Sequence, residues 1–158
     1  MWEQAELQDS TPLMAARAGE AARNQGPDLF NKFHLALLMA RHGGSRFDFK
    51  DRDLLTELAE QEGLDPSKFR KDLDDYSLLK RIADDHEYVT QEHNAFGSPT
   101  IIFPNGGSVY IKIHPPSDDQ VIPIFDSFVN LVSSNIFVGE VKRPQPPWPR
   151  DLINPSRE

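Results

Sequence analysis

Three groups of residues have types and spacings that could do chemistry. His34 and His42 lie eight apart on one helical pattern, and His86 and His93 lie seven apart on another, so each pair could share a helix face. A metal site wants closer spacing, such as i and i+4, with carboxylates aimed at the same point. Asp84, Asp85 and Glu87 beside His86, and Asp72, Asp74 and Asp75 further back, read as solvated helix charges rather than metal ligands or paired catalytic acids. The third group is Gly97-Ser98-Pro99-Thr100, which runs directly into the β-rich Ile101-Ile102-Phe103. The residue before a proline is pushed toward extended geometry, and Pro99 has no N–H for a strand ladder. A proline at the mouth of an apolar strand is a setting in which a cis X-Pro bond is found.

Much chemistry is excluded outright. The chain has no cysteine, so it carries no disulfide, no thiolate metal ligand and no thiol nucleophile of its own. No Ser-His-Asp signature, nucleophile elbow or glycine-rich phosphate loop occurs, and Gly106-Gly107 reads as part of a hairpin turn. Net charge is −8, from 17 basic and 25 acidic residues, which argues against general binding to nucleic acid or to an anionic membrane. No apolar run is long enough to cross a bilayer. Met1-Trp2-Glu3-Gln4 lacks the basic and apolar regions of a signal peptide, so a cytoplasmic location is the expectation.

The elements that must position the proline loop are mostly helices. Thr11-Pro12 opens the first, which runs through Arg23 toward Gly26. Asp28 to His42 forms the second, with Leu29, Phe30, Phe33, Leu37 and Leu38 at helical spacing and Gly43-Gly44 as its stop. A third spans about Asp51 to Glu62. Asp65-Pro66 caps and opens a fourth that carries Phe69 and Leu73, and a fifth spans about Ser77 to Glu92. Strands Thr100–Phe103 and Ser108–Ile113 follow, joined across Pro104-Asn105-Gly106-Gly107 as a hairpin. Ser117-Asp118-Asp119-Gln120 matches a capping box for a final helix in which Pro123 should cause a kink or a delayed start. From Lys142 the chain reads as an extended proline-rich tail holding Trp148.

In that order, five helices, a proline turn, a hairpin and a helix, the chain resembles the C-terminal two thirds of a DsbA-like thioredoxin-fold protein of the cytoplasmic oxidoreductase group. The resemblance runs through Ala15-Ala16-Arg17-Ala18-Gly19-Glu20-Ala21-Ala22-Arg23, Phe33-His34-Leu35-Ala36-Leu37, Leu58-Ala59-Glu60-Gln61-Glu62-Gly63-Leu64-Asp65 and Phe96-Gly97-Ser98-Pro99-Thr100, and covers roughly residues 10–135. It implies an α/β, thioredoxin-like fold that is predominantly helical. Residues 10–94 would be a helical insertion, 95–141 the C-terminal half of the thioredoxin fold, and 142–158 a tail. It implies thiol–disulfide oxidoreductase ancestry, with glutathione- or mycothiol-like partners for the parent activity. Gly97, Ser98, Pro99 and Thr100 become substrate-binding residues: the backbone before the proline pairs with an extended peptide or thiol substrate.

The resemblance also implies a preceding β-α-β unit with Cys-X-X-Cys, which these residues do not contain. The expectation is either a short natural reading frame or a fragment, inactive alone, with no catalytic residue, metal or cofactor in this chain. Two alternatives stand beside it. One is a non-catalytic peptide-binding or assembly module, and the other is the remnant of a thiol-cofactor-dependent isomerase of the same architecture. Thr100–Phe103, left without its usual strand neighbours, would be an exposed edge and a route to a homodimer.

Overall fold

Proline and aspartate set most of the helix starts. The computed structural model describes residues 5–44, 47–105, 107–113, 116–133 and 137–139. Among them are helices α1 (Ala5–Gln8), α2 (Thr11–Arg23), α3 (Pro27–His42), α4 (Arg52–Gln61), α5 (Pro66–Leu73), α6 (Leu78–Glu92) and α7 (Asp118–Val132). A two-stranded antiparallel sheet joins β1 (Thr100–Ile102) to β2 (Ser108–Tyr110). Pro12, Pro27 and Pro66 each sit in a first turn, where the missing N–H costs no helical bond. Asp51 accepts from the N–H groups of Asp53 and Leu54, and Asp65 accepts from that of Lys68, so both act as N-caps. The single turn α1 has no counterpart in the sequence reading, because four residues give no period to detect.

The described residues form two compact units, the first ending at Glu87 and the second beginning at Tyr88, within α6. The first unit is built on α2. Ala18, Ala21 and Ala22 are fully buried on it, and these small side chains let α3 and α5 approach closely. Met14, Phe33, Leu37, Leu55, Ala59, Phe69 and Leu73 complete one continuous core, with the Phe33 and Phe69 rings edge to face at 5.2 Å. This is the helical packing that the i, i+3, i+4 spacing predicts.

Two charged residues of α2 are buried, Arg17 and Glu20. Arg17 is fully buried, and its Nη2 donates to Asp9 Oδ1 at 2.8 Å. The Tyr76 hydroxyl donates to the same carboxylate at 2.8 Å, while its ring lies 4.1 Å from the Arg17 guanidinium carbon. Arg52 bridges Asp9 at 3.4 Å and Asp74 at 2.8 Å. Burial alone would push the Asp9 carboxyl up. Hydrogen bonds from Tyr76 and Arg17 and the nearby positive charges outweigh it and hold that carboxyl below its ordinary value. A sequence pattern of helical apolar residues does not announce this ion pair.

The second unit is thinly covered. None of its described residues is buried. Strand β1 is shorter than the expected Thr100–Phe103 and β2 is shorter than the expected Ser108–Ile113. The cause is Pro99. It stands opposite Ile111, whose N–H donates to the Pro99 carbonyl at 3.3 Å, but Pro99 has no N–H to return. The ladder therefore stops one pair short. At the other end the Phe103 N–H donates to the Gly107 carbonyl at 2.8 Å, so Phe103 closes the turn instead of extending β1.

Helix α7 starts at Asp118 and runs through Pro123, so of the two outcomes expected of that proline, a kink or a delayed start, the delay does not occur. The capping box does not form: no side-chain bond from Ser117 caps the helix, and Gln120 Nε2 donates sideways to Asp119 Oδ2 at 3.0 Å. Its apolar side chains span about half the helix circumference, yet none is buried, and Ile122 is 65% and Phe125 50% exposed. The proline-rich tail from Lys142, with Trp148, and Gly106 of the hairpin turn lie outside the described residues.

Candidate functional site

The proline loop is held from three sides within the second unit. The Ser98–Pro99 peptide bond is cis, the geometry that its sequence setting suggests. Thr100 Oγ1 donates to the Gly97 carbonyl at 2.6 Å, folding the loop over its own strand entry. Across the sheet Thr100 faces Tyr110, so β2 brings the Tyr110 ring to the loop. That ring packs on Phe96 with centroids 5.0 Å apart and lies directly over Gly97. A Cβ on Gly97 would stand 2.8 Å from Tyr110 Cε2, closer than real side chains come, so the glycine is required by this approach. Gly97, Ser98, Pro99 and Thr100 therefore form one continuous loop.

The hairpin itself is tied down by one side chain. Asn105 Oδ1 accepts from the Gly107 N–H at 3.1 Å, and its Nδ2 donates to the Ser133 carbonyl at 2.6 Å. The first bond shapes the turn, and the second anchors it to the C-terminal end of α7. Ser108 Oγ adds a bond to the His93 carbonyl at 2.9 Å, which fixes the start of β2 below α6.

Ser98 and Pro99, with Tyr110, Ile111, Lys112 and Ile113, line an open depression of about 260 Å³. The strand alternation fixes what the loop offers there. In an antiparallel pair, alternate residues turn their N–H and C=O toward the partner strand. Pro99 and Phe103 bond across the hairpin, so Ser98, Thr100 and Ile102 turn theirs to the outer edge of β1. No third strand joins that edge among the described residues, and no hydrogen bond engages Ser98 there. The arrangement is a rigid turn, an open strand edge and a shallow apolar depression with one cation on its rim. It can hold an extended chain, and the polar side chains on its lining are Ser98, Tyr110 and Lys112.

Reasoning from the sequence reached the loop and missed the opposite wall, Tyr110 to Ile113. A four-residue connection over Pro104–Gly107 would set Phe103 against Ser108, whereas the observed register sets Ile102 against Ser108. Counting from the proline would have found the wall, since a residue that cannot donate still has a partner that can. Two of the histidines pack on aromatic rings: His34 stacks on Phe30 at 5.3 Å, and His93 meets Tyr88 edge-on at 5.4 Å. No group of three His, Asp or Glu side chains converges on a point among the described residues. No described helix is long and apolar enough to cross a membrane. No family model matches the chain, and no curated protein matches it.

Proposed function

We propose that this chain is a DsbA-like, thioredoxin-fold derivative that contributes the substrate-docking side of a thiol–disulfide oxidoreductase. Two observations carry the reading: the depression between Ser98-Pro99 and Tyr110–Ile113, and the outer edge of β1, which no strand covers among the described residues. An extended peptide that adds to such an edge gains main-chain hydrogen bonds, while pockets beside it select alternate side chains. The redox step needs a thiolate attacking a disulfide sulfur. With no cysteine among the 158 residues, that thiolate comes from another polypeptide segment or from a thiol cofactor. With dithiothreitol as reductant, the purified chain alone is expected to bring on insulin turbidity no faster than the uncatalysed control.

Docking is tested by titrating the 15N-labelled chain with unstructured peptides. Shifts concentrated at Gly97–Ile102 and Ile111–Ile113 are the expected result. Ile102→Pro removes an outward donor without touching a β1–β2 bond, so it should weaken binding while leaving the hairpin formed. Peptides that shift no resonance in these segments at millimolar concentration overturn the reading.

A second reading, an assembly module that forms a homodimer, is favoured by one observation. Helix α7 carries a broad apolar face with no buried residue, and an uncovered face next to an open strand edge suits a two-fold partner. Sedimentation equilibrium decides it: a concentration-independent monomer mass removes this alternative.

A further inference from the structure

Positive charge is sparse among the described residues of the second unit. Among the described residues from Tyr88 onward, Lys112 is the sole lysine or arginine, against Glu92, Asp118, Asp119 and Asp126. That single cation lines the depression beside Ser98 and Pro99. Its neighbours there, Pro99, Ile111 and Ile113, are apolar, and no ion pair engages it among the described residues.

We infer that the depression takes an extended peptide bearing a carboxylate, with Lys112 as the residue that recognises it. This rests on the docking reading above and adds the class of ligand. The chemistry favours a single carboxylate over a polyanion. Lysine is a compact point donor suited to one negative group, and the net charge of −8 opposes a ligand carrying many. Because successive side chains of an extended chain point to opposite faces, only alternate ligand positions can reach the depression. The carboxylate can belong to an Asp or Glu side chain or to a peptide C-terminus, and both present the same group.

The test uses four peptides of one sequence, differing at one position and at the terminus. Three are amidated and carry Asp, Asn or Lys at the variable position, and the fourth carries Asn with a free C-terminal carboxylate. Each is titrated into the 15N-labelled wild-type chain and into Lys112→Ala and Lys112→Glu, with shifts read at Gly97–Ile102. Lys112 is exposed, so neither substitution disturbs packing. The Asp peptide is expected to bind roughly two- to five-fold tighter than the Asn amide, the range of a solvent-accessible ion pair. That preference should vanish in Lys112→Ala, reverse toward the Lys peptide in Lys112→Glu, and shrink as salt is raised. If the free-acid Asn peptide shows the preference instead, the carboxylate recognised is the C-terminus. Binding that ignores both peptide charge and the Lys112 substitutions overturns the assignment while leaving docking intact. Absence of any shift at the loop with all four peptides overturns docking and this inference together.

Discussion

Arg17 and Gly97 are two residues whose surroundings leave them little freedom. Arg17 has no exposed surface, and its Nε and Nη1 have no hydrogen-bond partner, so its charge leans on Asp9 and on the face of Tyr76. A buried charge that loses its partner destabilises far more than an exposed one. Asp9→Asn should therefore lower the unfolding free energy by about 2 kcal/mol in urea titrations. The effect depends on pH in a defined direction. The folded carboxyl of Asp9 lies below its unfolded value of 3.8, so its contribution is complete above that value and fades as the pH falls through the folded one. The gap between wild type and Asp9→Asn should be full at neutral pH and close below about pH 3.8. At Gly97 the constraint is steric. Gly97→Ala puts a methyl group into the Tyr110 ring and should cost about 1–2 kcal/mol, with a changed near-ultraviolet circular dichroism signal from the Phe96–Tyr110 pair. Tyr110→Ala in the Gly97→Ala background should cost less than the two single changes added together, because the clash is shared.

At the scale of elements, α7 carries the most evident conflict between local rules. Its face is apolar and its first turn acidic, which suits a helix start. Pro123 nevertheless removes one bond to the Asp119 carbonyl and crowds it. Pro123→Ala should restore that bond and raise helix stability by about 2 kcal/mol, read as increased amide protection of residues 121–132. The hairpin shows the opposite balance, where a proline ends the ladder early and leaves the loop rigid with an open outer edge. Both prolines were visible as breakers in the sequence. Their effects differ because one lies where the ladder can simply stop, while the other lies inside a helix whose flanking turns hold it.

For the whole molecule, burial is the dividing quantity. Fifteen apolar residues between Leu13 and Leu79 are buried, and none of the described residues from Tyr88 onward is. Hydrophobic stabilisation follows apolar area removed from water, so protection should follow the same division. Hydrogen–deuterium exchange is expected to be slowest in α2, α4 and α5 and fast in β1, β2 and α7. Equal protection across both units of the monomer would contradict this. A peptide or partner that covers the second unit should slow exchange there first, since binding stabilises only what it contacts.

Sequence alone determined the helical elements, the strand entry at Pro99 and the absence of any thiol. These follow from local properties: side-chain period, the missing N–H of proline and simple composition. It also located the loop from Gly97 to Thr100, because a glycine, a small residue and a proline before a β-branched run constrain the backbone within a few residues. Only the tertiary structure decided what faces that loop. The register that sets Ile111 opposite Pro99, the Tyr110 ring over Gly97 and the position of Lys112 on the rim depend on which strand residues meet across the turn. So does the burial of Arg17 against Asp9 and Tyr76, residues eight and fifty-nine positions away. Local sequence rules cannot carry such pairings, since they arise from chain segments that meet only after folding.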